Sequence, residues 1–130
     1  MLDETNAQPS YLLGRLFAVL EGLQAAALPE IKATIGDRYY GAASTVPVTV
    51  FPRLIGLSRH HLGKLRRDRP GAAVNLDRSM TSVLGLLPAE RFPNVFSMEE
   101  QGLFAIGYYH QRQALFSKRT KEEGADDTNN

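Results

Sequence analysis

The chain has 130 residues, of which 43% are apolar and 22% are charged, and its formal net charge at pH 7 is +1. This length fits one domain with a modest core, and the composition excludes a fully disordered or fibrous protein. The absence of cysteine excludes disulfides and thiolate zinc sites. We expect no membrane segment, because the apolar stretches fall short of the roughly 20 residues that one needs. The start, Met1-Leu2-Asp3-Glu4, has neither the basic region nor the apolar core of a signal peptide, and the absence of cysteine fits a reducing cytoplasm.

Charge is distributed unevenly along the sequence despite the small net value. Residues 1–37 sum to −3 and residues 38–78 to +6, followed by −2 (79–110), +4 (111–121) and −4 (122–130). A polyanion responds to the local field more than to the net charge, so the basic centre is a candidate surface for nucleic acid. A solvated helix face is the alternative interpretation of the same charge run.

The apolar pattern predicts an all-α fold, a single bundle of about five helices with disordered termini. We expect a flexible N-terminus over 1–9 and a helical bundle domain over 10–120. Ser10 is a suitable N-cap for an amphipathic first helix over 11–27, which has Arg15 on its polar side.

The second, third and fourth helices are placed by their prolines. Pro29 suits the first turn of a second helix over 29–40. A third helix is predicted from about Thr49 to Arg67, because Pro52 is tolerated in a first turn. A weaker fourth helix covers 73–87 and is closed by Pro88.

The last predicted helix spans about 98–119. It is opened by Ser97 and Glu100, which have the spacing of a capping box. Because its apolar residues occupy several sides, we expect this helix in the middle of the bundle, with Gly102 and Gly107 allowing close approach of neighbours. Residues 121–130 are predicted to form a disordered acidic tail.

The third helix carries a basic face, defined by cationic side chains opposite its apolar side. On a helical wheel, four of them share a stripe about 60° wide and two more lie together beside it, with Arg69 just beyond the helix end. Cations spread over about 21 Å can each contact a phosphate. No aromatic residue is interleaved with them to stack on bases, so the pattern favours phosphate contacts over recognition of bases. The basic face consists of Arg53, His60, Lys64 and Arg67 in the stripe, and Arg59 and Arg66 beside it.

No catalytic, cofactor or metal site is predicted, and we expect neither an enzyme nor a small-molecule substrate. His60 and His61 point about 100° apart on a helix, so they cannot chelate one metal as an i, i+4 pair does. His110 is expected to be a packed residue. The sequence has no glycine-rich phosphate loop, nucleophile elbow or thiol.

Three stretches, taken in order, resemble a known family. They are YLLGRLFAVLE at 11–21, ATIGDRYYGAAS at 33–44 with VFPRL at 50–54 and SRHHLGKL at 58–65, and EQGLFAIGYYHQRQ at 100–113. Together they resemble the C-terminal region of the large subunit of the type I-C CRISPR Cascade complex. A 130-residue chain beginning at methionine resembles the small subunit of that complex.

The resemblance implies a non-catalytic helical subunit that lines the inner face of Cascade. Its partners would be the crRNA-bearing backbone subunits, the large subunit and further copies of itself. It would help to hold the target DNA and the displaced strand during R-loop formation through phosphate contacts. The family pattern matches at Arg38, Arg53, His60, His61, Lys64 and Arg112. The nucleic-acid-binding residues that we expect are Arg53, Arg59, Lys64, Arg66 and Arg67, with Arg38, Arg69 and His60 as further candidates.

Two other functions fit the same residues. One is an assembly module whose basic face docks acidic protein surfaces instead of nucleic acid. The other is a small DNA-binding regulator that uses residues 29–67 as a helix-turn-helix variant, and it would have to prefer one duplex sequence over others.

Overall fold

The computed structural model describes residues 1–88 and 92–128, with side chains described as far as residue 117. Within those residues it has five helices and no strand, which confirms the predicted all-α bundle. None of the described helices is long and apolar enough to cross a membrane. The helices are α1 (Pro9–Ala27), α2 (Ile35–Ala43), α3 (Pro47–Asp68), α4 (Pro70–Leu86) and α5 (Met98–Thr128).

Helix α1 is the centre of the bundle, and it packs against each of the other four helices. Every residue from Ser10 to Leu20 is buried, including Arg15, which the wheel had assigned to a polar side. Helix α5 instead exposes Ile106 and Tyr109, which are 47% and 59% exposed. The expectation that the last helix occupies the middle of the bundle is therefore wrong. The number of apolar sides on a helix therefore did not decide which helix is central.

Two glycines make the contact between α1 and α5 possible. A Cβ at Gly14 would overlap the carbonyl oxygen of Phe104, and a Cβ at Gly107 would overlap the carbonyl oxygen of Tyr11. The two backbones therefore touch directly at this crossing, which no larger residue permits. The expected role of Gly107 is confirmed, whereas Gly102 faces open space within the described residues.

The ends of the first two helices differ from the prediction. Helix α1 begins after Gln8, with Pro9 in its first turn, so Ser10 is a buried helical residue and not the cap. Helix α2 begins six residues later than predicted, because Thr34 and Asp37 form a capping box.

The connection before α2 explains the error at Pro29. The Ile31 N–H donates to the Leu28 carbonyl at 3.1 Å, so Pro29 lies in a tight turn, a position that proline also favours. The Ile35 N–H then donates to Oε1 of buried Gln24 at 2.8 Å, which satisfies the first turn of α2 from α1.

Helices α3 and α4 both begin with proline, at Pro47 and Pro70. Each therefore starts earlier than predicted, and Pro52 lies inside α3 and not in its first turn. The segment before α5 is tied to this region, since the Val48 N–H donates to the Pro93 carbonyl at 3.1 Å.

The capping box at the start of α5 is confirmed. The Ser97 N–H donates to Oε1 of Glu100 at 2.9 Å, and the Glu100 N–H donates to Oγ of Ser97 at 3.1 Å. Helix α5 extends to Thr128, beyond the predicted end near residue 119. The disordered tail expected over 121–130 stays a prediction, because 129–130 and the side chains beyond 117 lie outside the described residues.

The core has two parts along α1. The larger part is aromatic and is centred on Phe17, whose ring lies 5.6–6.4 Å from the rings of Tyr40, Phe51, Phe104 and Tyr108. The smaller part joins the C-terminal end of α1 to α3 and α4 through Leu23, Leu65 and Ala73. This second part fixes the position of α3 and therefore of its solvent side.

Candidate nucleic-acid interface

Helix α3 is divided lengthwise into a buried and an exposed side, as its periodicity predicts. The buried side holds Leu54, Ser58, Leu62 and Leu65. Five members of the basic face are exposed, and they are Arg53, Arg59, His60, Arg66 and Arg67. The helix contains five Lys and Arg residues against one acid, so the exposed side is strongly positive.

Lys64 differs from the other members of the basic face. Its Nζ donates to the carbonyl of Ala27 at 2.9 Å and to Oδ2 of Asp68 at 2.7 Å. The first bond satisfies a carbonyl at the end of α1, where a cation also meets the negative end of the helix dipole. The bonds from the Lys64 side chain lower the pKa of Asp68. Lys64 therefore joins α3 to α1, and its charge is largely compensated.

Two arginines of the basic face have protein neighbours without being buried. Nη2 of Arg66 lies 3.5 Å from Oδ2 of Asp77 on α4, and both side chains remain well exposed. The Arg53 guanidinium lies 5.8 Å from the centre of the Tyr39 ring on α2. Exposed ion pairs and cation–π contacts of this kind stabilise by about 1 kcal/mol or less, so both cations can exchange these contacts for a phosphate.

Arg59 and Arg67 are the least engaged cations of α3. No side chain among the described residues forms a hydrogen bond or ion pair with either guanidinium. They lie about two turns apart on the exposed side, at a spacing of about 12 Å along the axis. Their charges are therefore held in place by the helix, and neither guanidinium is committed to an ion pair within the described residues.

The two outer candidates lie on different parts of the surface. Arg38 is exposed on α2, next in sequence to the Tyr39 that contacts Arg53. Arg69 is exposed between α3 and α4, and it is one of the residues that line a groove between α1, α4 and α5. The structure thus brings the α3 cations together on one face and places Arg69 at the end of α3, next to the groove.

The adjacent histidines have different surroundings. His60 is exposed, whereas His61 is half-buried. Burial, and then the repulsion from His60, lowers the pKa of His61, because both disfavour the charged imidazolium. Among the residues that the structure describes, no three His, Asp or Glu side chains are grouped to hold a metal ion.

A groove that was not predicted lies between α1, α4 and α5, with a volume of about 270 Å³. Ala18, Gly22 and Ala25 of α1 form its floor, and Leu76 and Leu115 line its walls. Within the described residues α4 and α5 both pack on α1 but not on each other, which leaves the groove between them. The signal in the sequence was the spacing of the small residues Ala18, Gly22 and Ala25 at i, i+4 and i+7 on α1, because their short side chains leave a depression on this side of the helix.

Three polar residues form a chain at the α5 side of the groove. The Tyr108 hydroxyl donates to Oε1 of Glu21 at 2.6 Å, and Nη1 of Arg112 lies 3.5 Å from the Tyr108 oxygen. Burial, then the bond to the Glu21 carboxylate, raises the pKa of Tyr108 to about 12. Glu21 and Arg112 both line the groove, and Arg69 lines it as well.

Two further polar contacts join α1 to α5. Nε of Arg15 donates to Oε1 of Gln111 at 2.8 Å, and the Arg15 Nη1 is buried without a hydrogen-bond partner among the described residues. The Tyr11 hydroxyl lies 3.0 Å from Nδ1 of His110, so that the expected packed histidine is half-buried and bonded.

One protein-family model, described as CRISPR-associated protein (Cas_Csd1), matches residues 1–116. The match includes the three stretches that carry the resemblance and the whole of the basic face. A search of curated proteins found no match.

Proposed function

The chain belongs to the Cas_Csd1 family of CRISPR-associated proteins, and from this premise we propose that it is the non-catalytic small subunit of a type I-C Cascade complex. In this role it lines the inner face of the complex beside the crRNA-bearing backbone subunits and the large subunit, in more than one copy, in the cytoplasm. It holds the target DNA, including the displaced strand, through phosphate contacts. The family match supports a Cascade-type protein, and the finer assignment is our proposal.

The observation that carries the proposal is the exposed side of α3. Arg59 and Arg67 have no hydrogen bond or ion pair within the described residues, and Arg53 and Arg66 have only weak surface contacts. Unneutralised cations on a rigid helix gain free energy by releasing counterions from phosphates. They read no sequence, which suits a complex in which guide pairing reads the target.

The test removes the two least engaged charges. In the assembled complex, Arg59→Gln with Arg67→Gln should weaken R-loop formation and flatten its dependence on salt by about 0.7–0.9 per lost contact. Lys64 is left unchanged, because loss of its bond to the Ala27 carbonyl would change the stability of the chain as well as its binding. The matched control is Lys32→Gln with Arg78→Gln, which removes two exposed charges from other elements. Equal salt slopes for the two double variants would contradict the proposal.

An assembly module is the second candidate, and the surface of α5 favours it. Met98, Ile106 and Tyr109 are 88%, 47% and 59% exposed, an unusual amount of apolar surface for one helix. If the Arg59 and Arg67 variant formed R-loops normally but assembled poorly with the other subunits, the basic face would be a protein-docking surface instead.

A further inference from the structure

The groove between α1, α4 and α5 has the chemistry of a site for an unstacked nucleobase. Its floor is low and apolar at Ala18, Gly22 and Ala25, and its walls are the side chains of Leu76 and Leu115. A Cβ at Gly22 would lie 3.5 Å from Leu115 and 3.9 Å from Leu76, so both leucines converge on this one point of the floor. A flat apolar group placed there would contact the protein on both of its sides.

The size of the groove selects the kind of occupant. Its volume of about 270 Å³ is close to the lower limit of about 300 Å³ for small-molecule sites. An α-helix with its side chains is about 10 Å across, so only single side chains of a helix would enter the groove while its backbone stayed outside. The groove therefore accommodates a single ring system better than it accommodates a helix of another protein.

The charges around the groove favour an anion next to that ring system. Arg69 and Arg112 line it, and its one carboxylate, Glu21, accepts the Tyr108 hydroxyl. A group that is apolar and planar in one part and anionic in the other matches this lining.

Arg69 also connects the groove to the basic face. It directly follows α3, whose last turn carries Arg66 and Arg67, and its own side chain lines the groove. A strand whose phosphates follow the α3 cations would therefore reach the groove at Arg69. Only a single strand can turn a base out of its stack at low cost, because a duplex base must also be unpaired.

We infer that the groove receives one base of a single DNA strand whose phosphates lie on the basic face. The inference rests on the proposed function and adds to it the form of the nucleic acid, a single strand held by a base as well as by phosphates. The base is held by apolar contact and not by its hydrogen-bonding edge, so no sequence preference is expected.

The test compares two strands that differ only in their bases. The full chain is mixed with labelled oligothymidine of about 12 nucleotides and with an abasic strand of the same length, and binding is measured by fluorescence anisotropy. The intact strand should bind about 5- to 10-fold more tightly, with the same salt slope. Equal binding of both strands would overturn the inference and leave the proposed function standing. Binding of neither strand at low salt would overturn both.

Variants then locate the base. Ala25→Leu fills the groove from an exposed position, so it should lower the affinity for the intact strand to that for the abasic strand. Ala105→Leu makes the same change at an exposed position of α5 outside the groove, and it should leave the difference between strands unchanged. Ser79→Leu fills the groove from α4 and should repeat the result of Ala25→Leu. Circular dichroism checks that each variant is folded.

Two other occupants give different outcomes. If Ala25→Leu keeps its preference for the intact strand but no longer copurifies with the other subunits, the groove holds a protein segment and the inference is overturned. If thymidine monophosphate displaces the strand as effectively as unlabelled oligothymidine does, the groove is a mononucleotide site and the inference is again overturned. Weak displacement by the mononucleotide supports it, because a free nucleotide lacks the contacts along α3.

Discussion

The crossing of α1 with α5 and the exposed side of α3 place arginine side chains in opposite environments, buried in the first and solvent-exposed in the second. At the crossing, Arg15 is 5% exposed and is bonded to Gln111, next to backbones that touch at two glycines. On α3, Arg59 and Arg67 are exposed and have no hydrogen bond or ion pair within the described residues. Stability is therefore concentrated in the first region, and the second is available for a partner. Substitutions in the two regions should have effects of different kinds.

The largest effect is expected at the glycines of the crossing. Gly107→Ala places a Cβ on the carbonyl oxygen of Tyr11, so the helices must separate. We expect the free energy of unfolding to fall by about 3 kcal/mol in chemical denaturation. Gly102→Ala on the same helix is the control, and it should be neutral or stabilising by up to about 1 kcal/mol. Similar results for the two variants would show that the crossing is not close-packed.

The next effect concerns the buried arginine. Gln111→Leu removes the acceptor of the Arg15 Nε and leaves a buried cation with fewer bonds. It should destabilise the chain by about 2 kcal/mol in the same assay. Adding Arg15→Met should restore much of that loss, because no buried charge is then left unsatisfied. A double variant that is less stable than Gln111→Leu alone would mean that Arg15 contributes through packing of its stem.

A smaller effect separates Lys64 from its neighbours on α3. Lys64→Met removes the bond to the Ala27 carbonyl and should cost about 1 kcal/mol, reduced by the exposure of the side chain. Arg67→Met should stay within about 0.5 kcal/mol of the parent, since nothing in the described structure holds its guanidinium. If thermal unfolding does not distinguish the two variants, Lys64 belongs with the binding cations.

The smallest effect appears only at high pH, at Tyr108. Its pKa in the folded chain is about 12, above the ordinary value of 10.0. The neutral phenol is thus favoured by folding, so this contribution is complete below pH 10 and is lost as the pH rises toward 12. Burial also raises the pKa of Tyr40, so an absorbance titration should show late phenolates from both tyrosines, of which the Tyr108 phenolate is absent in Tyr108→Phe. In Glu21→Gln it should titrate earlier but still above pH 10, because burial is the first cause of the shift.

Much of the fold could be predicted, because helices are marked by local signals. The Ser97–Glu100 capping box and the buried side of α3 both follow from spacing within one element. The start of α2 was missed because Pro29 fits a turn as well as it fits a helix. The central position of α1 was missed because it depends on Gly14 and Gly107, which lie far apart in the sequence.

The candidate site was predictable to the same extent. The wheel groups the α3 cations, and the structure exposes most of them. The helical wheel could not reveal that Nζ of Lys64 bonds to the carbonyl of Ala27, a partner 37 residues away. It also did not reveal the groove, because the small residues of α1 mark only its floor, whereas the gap between α4 and α5 depends on how three helices pack.

The α1–α5 crossing also has a consequence for how the chain acquires its structure. Its hydrogen bonds join residues 96 and 99 positions apart, so the apolar α1 emerges from the ribosome long before the helix that covers it. Closing so long a loop is slow relative to helix formation. During synthesis the apolar surface of the central helix is thus exposed until α5 has formed, and exposed surface of this kind is prone to aggregation.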